Sequence, residues 1–564
     1  MSRSIRMIFS SRILMMKKRA SNSHCVALLL AALMMMPASL PAQDAKGGDD
    51  PVLRSLQVEM ARSKAELKLD QSLTPYFIDY RVIDVDNWDA DVAFGSVRHE
   101  ASSRARFLLV QVRVGDYKQD NSSGRGEGTF ELMPVDGDEQ SFRFQVWQAT
   151  DKAYKQALEM LTEKQSRLKN LTIDHPVDDF ARTEPVVSLG ATATLHLERE
   201  GWLRQMREAT DLYKTDARIQ FLGATISAKA VNRYELNSEG TVVRSGQELY
   251  RMTLGGTTQA DDGMHLERAQ AFGGHTAADI PAAGEFVEKA KAMVASLKQL
   301  RTAPLADEDY HGPVLFSADA AGTVFTTLVG DNVLGHKPEL GQNARVRGAF
   351  ASSYKTRVLP EFLTVVDDPA RTTAGGKSLM GHYDVDDEGV RAQRVVLVDK
   401  GVLVSYLLGR TPIRDFAASN GHGRSNVPLG WTGPGIGNLV VEAANGVAPA
   451  ELKQKLIAMC KERGLEYGYR VETMAGPRAP RLLYRVYVSD GHEELVRGAL
   501  FGDLDQRSMR TALVAAGNDV WVENDILPMP HSVVSPSVLF DDLELKRQTS
   551  GKEKLPDYPP PTVQ

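Results

Sequence analysis

The apolar residues of this chain repeat every third or fourth position in some stretches and every second in others, and a chain carrying both periods must build helices as well as sheets. From Pro51 to Leu67, the residues Leu53, Leu56, Met60 and Leu67 form a helical stripe, with a proline near its first turn. Tyr76, Ile78, Tyr80 and Val82 then alternate with more polar neighbours, as do Leu108, Val110, Val112 and Val114, which predicts two half-buried strands. A second helix is expected over about 151–167, with Ala153, Ala157, Leu158 and Leu161 inward behind a Thr150 cap. Strands through Ala191 to Leu197 and Tyr250 to Leu254 follow, and between them Asn237-Ser238-Glu239-Gly240 has the chemistry of a tight turn.

A helix over Glu285 to Leu300 puts Phe286, Ala290, Met293, Val294, Leu297 and Leu300 on one face, and the charged, irregular stretch Thr302 to His311 after it marks a domain boundary. Beyond the boundary come an apolar segment at Pro313 to Phe316 and a hairpin in which Asp399-Lys400-Gly401 joins Val395–Val398 to Val402–Leu408. A helix follows from Ala450 to Arg463, set between Pro449 and Gly464, with Cys460 as a core residue. The reading is an α+β fold of two domains, 43–300 and 301–547, with mostly antiparallel sheets and flanking helices. Residues 548–564, with four prolines and few apolar groups, read as a disordered tail.

The length of 564 residues and the 42% apolar content suit two buried cores. A net charge of -6 provides no long-range field to collect phosphates, which argues against nucleic acid as a partner. At the N-terminus, Lys17, Lys18 and Arg19 precede an apolar stretch from Cys25 to Met36 and then Leu40-Pro41-Ala42, the pattern of an export signal cleaved after Ala42. Translation could equally begin at Met15 or Met16. The expected location is the periplasm or the exterior, with membrane contact only during export, because the apolar stretch is shorter than the ~18 residues a bilayer span needs. Removal of Cys25 leaves Cys460 alone, so neither an internal disulfide nor a thiolate-rich zinc knuckle can form.

Few local motifs carry chemistry. Gly375-Gly376-Lys377-Ser378 imitates the end of a phosphate loop, but Arg371 stands where its first glycine belongs. Gly433-Pro434-Gly435-Ile436-Gly437 misses the dinucleotide spacing and reads as a chain reversal. His492-Glu493 lacks a second histidine, position 496 being valine, and reads as a solvated helix face. The group His382, Asp384, Asp386, Asp387 and Glu388 is rich in oxygen donors but fails the EF-hand spacing, and reads as a solvated turn before a strand.

The order of segments in the second half is more informative. Thr364-Val365-Val366-Asp367-Asp368-Pro369 leads through Gly375-Gly376 to Tyr383-Asp384-Val385-Asp386-Asp387-Glu388-Gly389-Val390, then the hairpin, then Asn420-Gly421-His422-Gly423-Arg424 and Pro428. With Val534-Ser535-Pro536-Ser537-Val538-Leu539-Phe540 near the end, this run resembles the C-terminal domain of the TldD/PmbA metallopeptidases, and Val112-Arg113-Val114-Gly115-Asp116 is a weaker match in the first half. Catalytic members carry His-Glu-x-x-x-His on a helix after a Gly-rich apolar entry, and a distant cysteine. Here the entry is Ala321-Gly322-Thr323-Val324-Phe325, and the motif positions fall on Thr326, Thr327 and Asp331, the cysteine position near Val522.

Zinc needs imidazole, thiolate or carboxylate donors, and a general base must be able to take a proton. Only Asp331 qualifies, so no metal and no cofactor is expected. The resemblance implies something like the PmbA (TldE) branch, which lacks the motif: a peptide-binding subunit for extended peptides, as a homodimer or as a heterodimer with another TldD/PmbA-type subunit. His422 and Arg424 are the further candidates for the cleft. One alternative is an active zinc peptidase with substitute ligands such as His336, Asp331 and His422; another is an envelope scaffold without a peptide cleft.

Overall fold

A computed structural model describes residues 50–122, 128–426, 431–558 and 561. The expected export signal lies outside them. In the first half, strands of up to 19 residues form a seven-stranded sheet in the order Thr129–Met133, Ser96–Val114, Pro75–Ala93, Ile219–Asn237, Val242–Gln259, with Val187–Leu189 and His265–Gly274 both paired to the last. Neighbours are antiparallel except Val187–Leu189, which runs parallel to Val242–Gln259.

Alternation decides what each face of this sheet meets. The even-numbered residues Ile78, Tyr80, Val82, Leu108, Val110 and Val112 pack under Leu53, Leu56, Val146 and Ala153 of the helices Pro51–Glu66 and Glu139–Leu168. Farther along the same strand Trp88, Ala90 and Val92 pack under Trp202, Met206, Met293 and Leu297 of Arg199–Asp211 and Ala283–Thr302. All four helices thus cover one face, and the other is left toward the second half of the chain.

The second half has two larger sheets. One runs Val402–Leu403, Val395–Asp399, Leu363–Asp367, Asn438–Ala443, His531–Ser535, Trp521–Asp525. The other runs Glu493–Val496, Ala479–Tyr487, Tyr467–Gly476, Asp309–Phe316, Val538–Arg547, with Ala499–Phe501 and Leu513–Ala516 both on the last. The apolar helix Ala318–Leu328, capped by Ser317, packs against strands of both, with Ala320, Ala321, Val324 and Phe325 fully buried. The fold is α+β with mostly antiparallel sheets, as the two periods predict.

Several boundaries differ from expectation, each for a local reason. The second helix starts at Glu139, not near 151, because Asp138 caps it by accepting from Ser141 N at 2.8 Å. Thr150 is mid-helix, donating to Val146 O, so it is no cap. Residues 191–197 form no strand; Val187–Leu189 already pairs with Val242–Gln259, and Ala193 is held instead by both side-chain atoms of Asn232. The helix Arg199–Asp211 was not anticipated. The hairpin turns at Lys400 and Gly401, both at positive φ, but its second arm is only Val402–Leu403, since Leu407 leaves to donate to Val333 O.

His492 precedes the strand Glu493–Val496, so the expected helix face is a turn and a sheet edge. Gly375 and Gly376, both at positive φ, turn a short hairpin between Thr373–Ala374 and Lys377–Ser378. Cys460 is fully buried on Pro449–Glu462. The chain after residue 547 stays on the body for a few residues, with Lys552 paired to Met264.

Candidate functional site

Between the helix-free face of the first sheet and the second half lies a cavity of about 810 Å³. Its first wall is Arg81, Leu109, Gln111 and Arg113, all odd-numbered residues on neighbouring strands. The opposite wall holds Thr326 at the end of Ala318–Leu328, Asp331 and His336 just after it, and Glu523, Asp525 and His531 from the Trp521–Asp525 and His531–Ser535 strands. Leu334, Leu527, Pro528 and Met529 add apolar surface.

Of the positions expected to matter, Thr326 and Asp331 line this cavity. The Thr326 hydroxyl donates to Gly322 O and that of Thr327 to Thr323 O, each at 2.9 Å. Val522 points the other way, into a small core with Val366, Leu379, Val440 and Val534. Its strand neighbours Glu523 and Asp525 are the ones that face the cavity, which the sequence reading missed.

His422 is not a cleft residue. It is fully buried, its Nε2 3.1 Å from Asp367 Oδ1, while Gly437 N and Asn438 N also donate to Asp367. A carboxylate there satisfies a histidine and two backbone groups at once, and this explains both the Asp-Asp-Pro strand end and the glycine-rich loop at 433–437. Arg424 does reach the cavity, its guanidinium 4.2 Å from the centre of the Tyr383 ring and donating to Ile436 O and Pro530 O.

The acidic run is not a solvated turn before a strand. Asp386 is fully buried and accepts from Glu388 N, Val390 N and Gly423 N. Burial and the nearby Glu388 push its carboxyl up to about 8, against the pull of those three donors; a set of donors aimed at both oxygens fits the ionised form. Asp387 pairs with Arg233 of the first half, and despite burial Arg233 and Arg424 hold it below the usual carboxylate range. Arg233 also pairs with Glu235, and Arg81 pairs with Asp79 and donates to Thr432 Oγ1. The Arg233–Asp387 pair and the Arg81–Thr432 hydrogen bond tie the two halves together beside the cavity.

Protein crowds the cavity acids even though water reaches them. Glu523 is pushed up to about 7 by this crowding and by Asp319 and Asp525, and crowding raises Asp331 as well. His336 is lowered by the same crowding and by Arg347. Among the described residues, the only three ligand-type side chains that converge are Asp309, His311 and Glu544, on the surface and away from the cavity. His336, Asp331 and His422 are not brought together, since His422 is sealed behind Asp367.

A long sheet on one side of the cavity and a helix-bearing pair of sheets on the other place the chain in the α+β class, and comparison with known proteins says which family's domain it is similar to. Residues 309–547 match the family described as PmbA/TldA metallopeptidase C-terminal domain, so this part of the chain is similar to that family's domain. A metalloprotease of Archaeoglobus fulgidus is 30% identical over 145 residues, which are 25% of this chain and 31% of that protein. One from Methanocaldococcus jannaschii is 27% identical over 223 residues, 38% of this chain and 45% of that protein. The chain thus spans less than half the length of these curated relatives.

The crystal structure of TldE from Thermococcus kodakarensis superposes with a TM-score of 0.55 at 14% identity, covering 87% of this chain and 99% of that one. A Thermotoga maritima protein named for modulation of a DNA gyrase gives 0.57 at 14%, with the same coverage. Both likenesses are of fold.

Proposed function

We propose that this chain is an exported, non-catalytic member of its family that holds an extended peptide in the cavity, as a homodimer or beside another TldD/PmbA-type subunit. The observation that carries the reading is the state of the family's metal positions. Thr326 and Thr327 commit their hydroxyl protons to helix carbonyls, a hydroxyl is a poor zinc donor, and Val522 has none. These side chains do not fit zinc, and Thr327 cannot serve as a base. The large cavity with polar and apolar walls suits a peptide, whose backbone needs hydrogen-bonding groups and whose side chains need pockets. The basic run and apolar stretch before Ala42 support export.

A second reading has one observation in its favour. His336, His531, Asp331, Glu523 and Asp525 line the same cavity, so a rearranged site could hold a cation and activate water. The two readings separate on incubation of the mature protein with unfolded casein and zinc, analysed by mass spectrometry. The proposal expects peptides to be retained and no new termini to appear; chelator-sensitive new termini would establish the second reading.

A further inference from the structure

We infer that the cavity continues onto an apolar shelf on the first sheet, and that the peptide it receives carries a large aliphatic or aromatic side chain there. This deepens the peptide-binding reading and rests on it. The shelf follows from strand register. Phe107 pairs with Leu132 and Leu109 with Phe130 across the Ser96–Val114 and Thr129–Met133 strands, and directly opposed residues share a face. That face is the helix-free one, because the intervening Leu108, Val110 and Met133 are buried under the helices.

The four side chains therefore form one patch, with the Phe107 and Phe130 rings stacked 5.3 Å apart. Leu132 is 67% and Phe130 39% exposed. A sheet face turned to water normally carries polar residues, so a contiguous apolar patch needs an occupant. Leu109 settles which one, since it belongs to the patch and also to the cavity wall beside Gln111 and Arg113. A chain leaving the cavity past Leu109 meets Phe130 and then Leu132 without crossing a charged side chain on those two strands. Desolvating one large apolar side chain there strengthens binding by about tenfold.

The test uses two short unstructured, fluorescein-labelled peptides, identical except for a Leu-Phe or a Ser-Ser pair, with anisotropy as the readout. The wild-type protein is expected to bind the Leu-Phe peptide about tenfold more tightly, and Leu132→Ser with Phe130→Ser to abolish that preference while leaving Ser-Ser binding unchanged. Phe144→Ser, an exposed aromatic on the helix side, serves as a control that keeps it. Equal binding of the two peptides, or a preference that survives the shelf variants, overturns the shelf while peptide binding stands. Failure of the wild type to bind either peptide overturns both. Sedimentation supplies one more contrary result: a wild-type dimer that becomes monomeric in the Leu132→Ser variant would make the patch a subunit contact.

Discussion

At the scale of single residues, buried carboxylates hold the site's frame and exposed ones give it character. Asp367 accepts from His422, Gly437 N and Asn438 N with no exposure to water. Asp367→Ala strands all three donors and is expected to cost about 3 kcal/mol in urea unfolding. Glu523 bears on pH. Its carboxyl lies above the ordinary glutamate value in the folded protein, so the folded state binds more protons than the unfolded one between about 4.5 and about 7. Stability contributed by this group therefore falls as pH rises through that window. Glu523→Gln should gain stability relative to wild type at pH 8 more than at pH 5, read by denaturant unfolding at both. Asp331 could be placed from sequence through the family motif, but Glu523 could not. A strand's parity is fixed only by its partners, and a shift of one residue exchanges Val522 for Glu523.

At the scale of elements, Ala318–Leu328 presents Thr326 to the cavity and the turn after it presents Asp331, the two positions at which the family resemblance puts motif residues. Thr326→His with Asp331→His should gain zinc affinity, because Glu523 lines the same cavity as a third donor; isothermal titration with zinc would show the gain over wild type. The long amphipathic helices and the Lys400-Gly401 hairpin were readable because their periodicity and turn chemistry are local. Residues 191–197 misled, since their β-like alternation is satisfied by Asn232 rather than by a ladder. The helix Arg199–Asp211 escaped notice because its stripe is brief, resting on Trp202, Leu203, Met206 and Ala209. The acidic run misled for a different reason: composition cannot tell a solvated turn from one whose charges meet arginines of a distant strand.

At the scale of the whole molecule, the two halves close the cavity through buried ion pairs. Arg233 joins Glu235 of the first sheet to Asp387 of the second half. Arg233→Ala leaves both acids without this partner, and a loss of about 3–5 kcal/mol is expected in calorimetry. Under the proposed function, the fold is kept while the metal chemistry of catalytic relatives is given up. Metal content is the deciding quantity, measured by mass spectrometry on untagged protein exchanged into metal-free buffer. Zinc far below one equivalent per chain is expected; a stoichiometric zinc ion would overturn the proposed function and assign the cavity's histidines and acids to a working metal site.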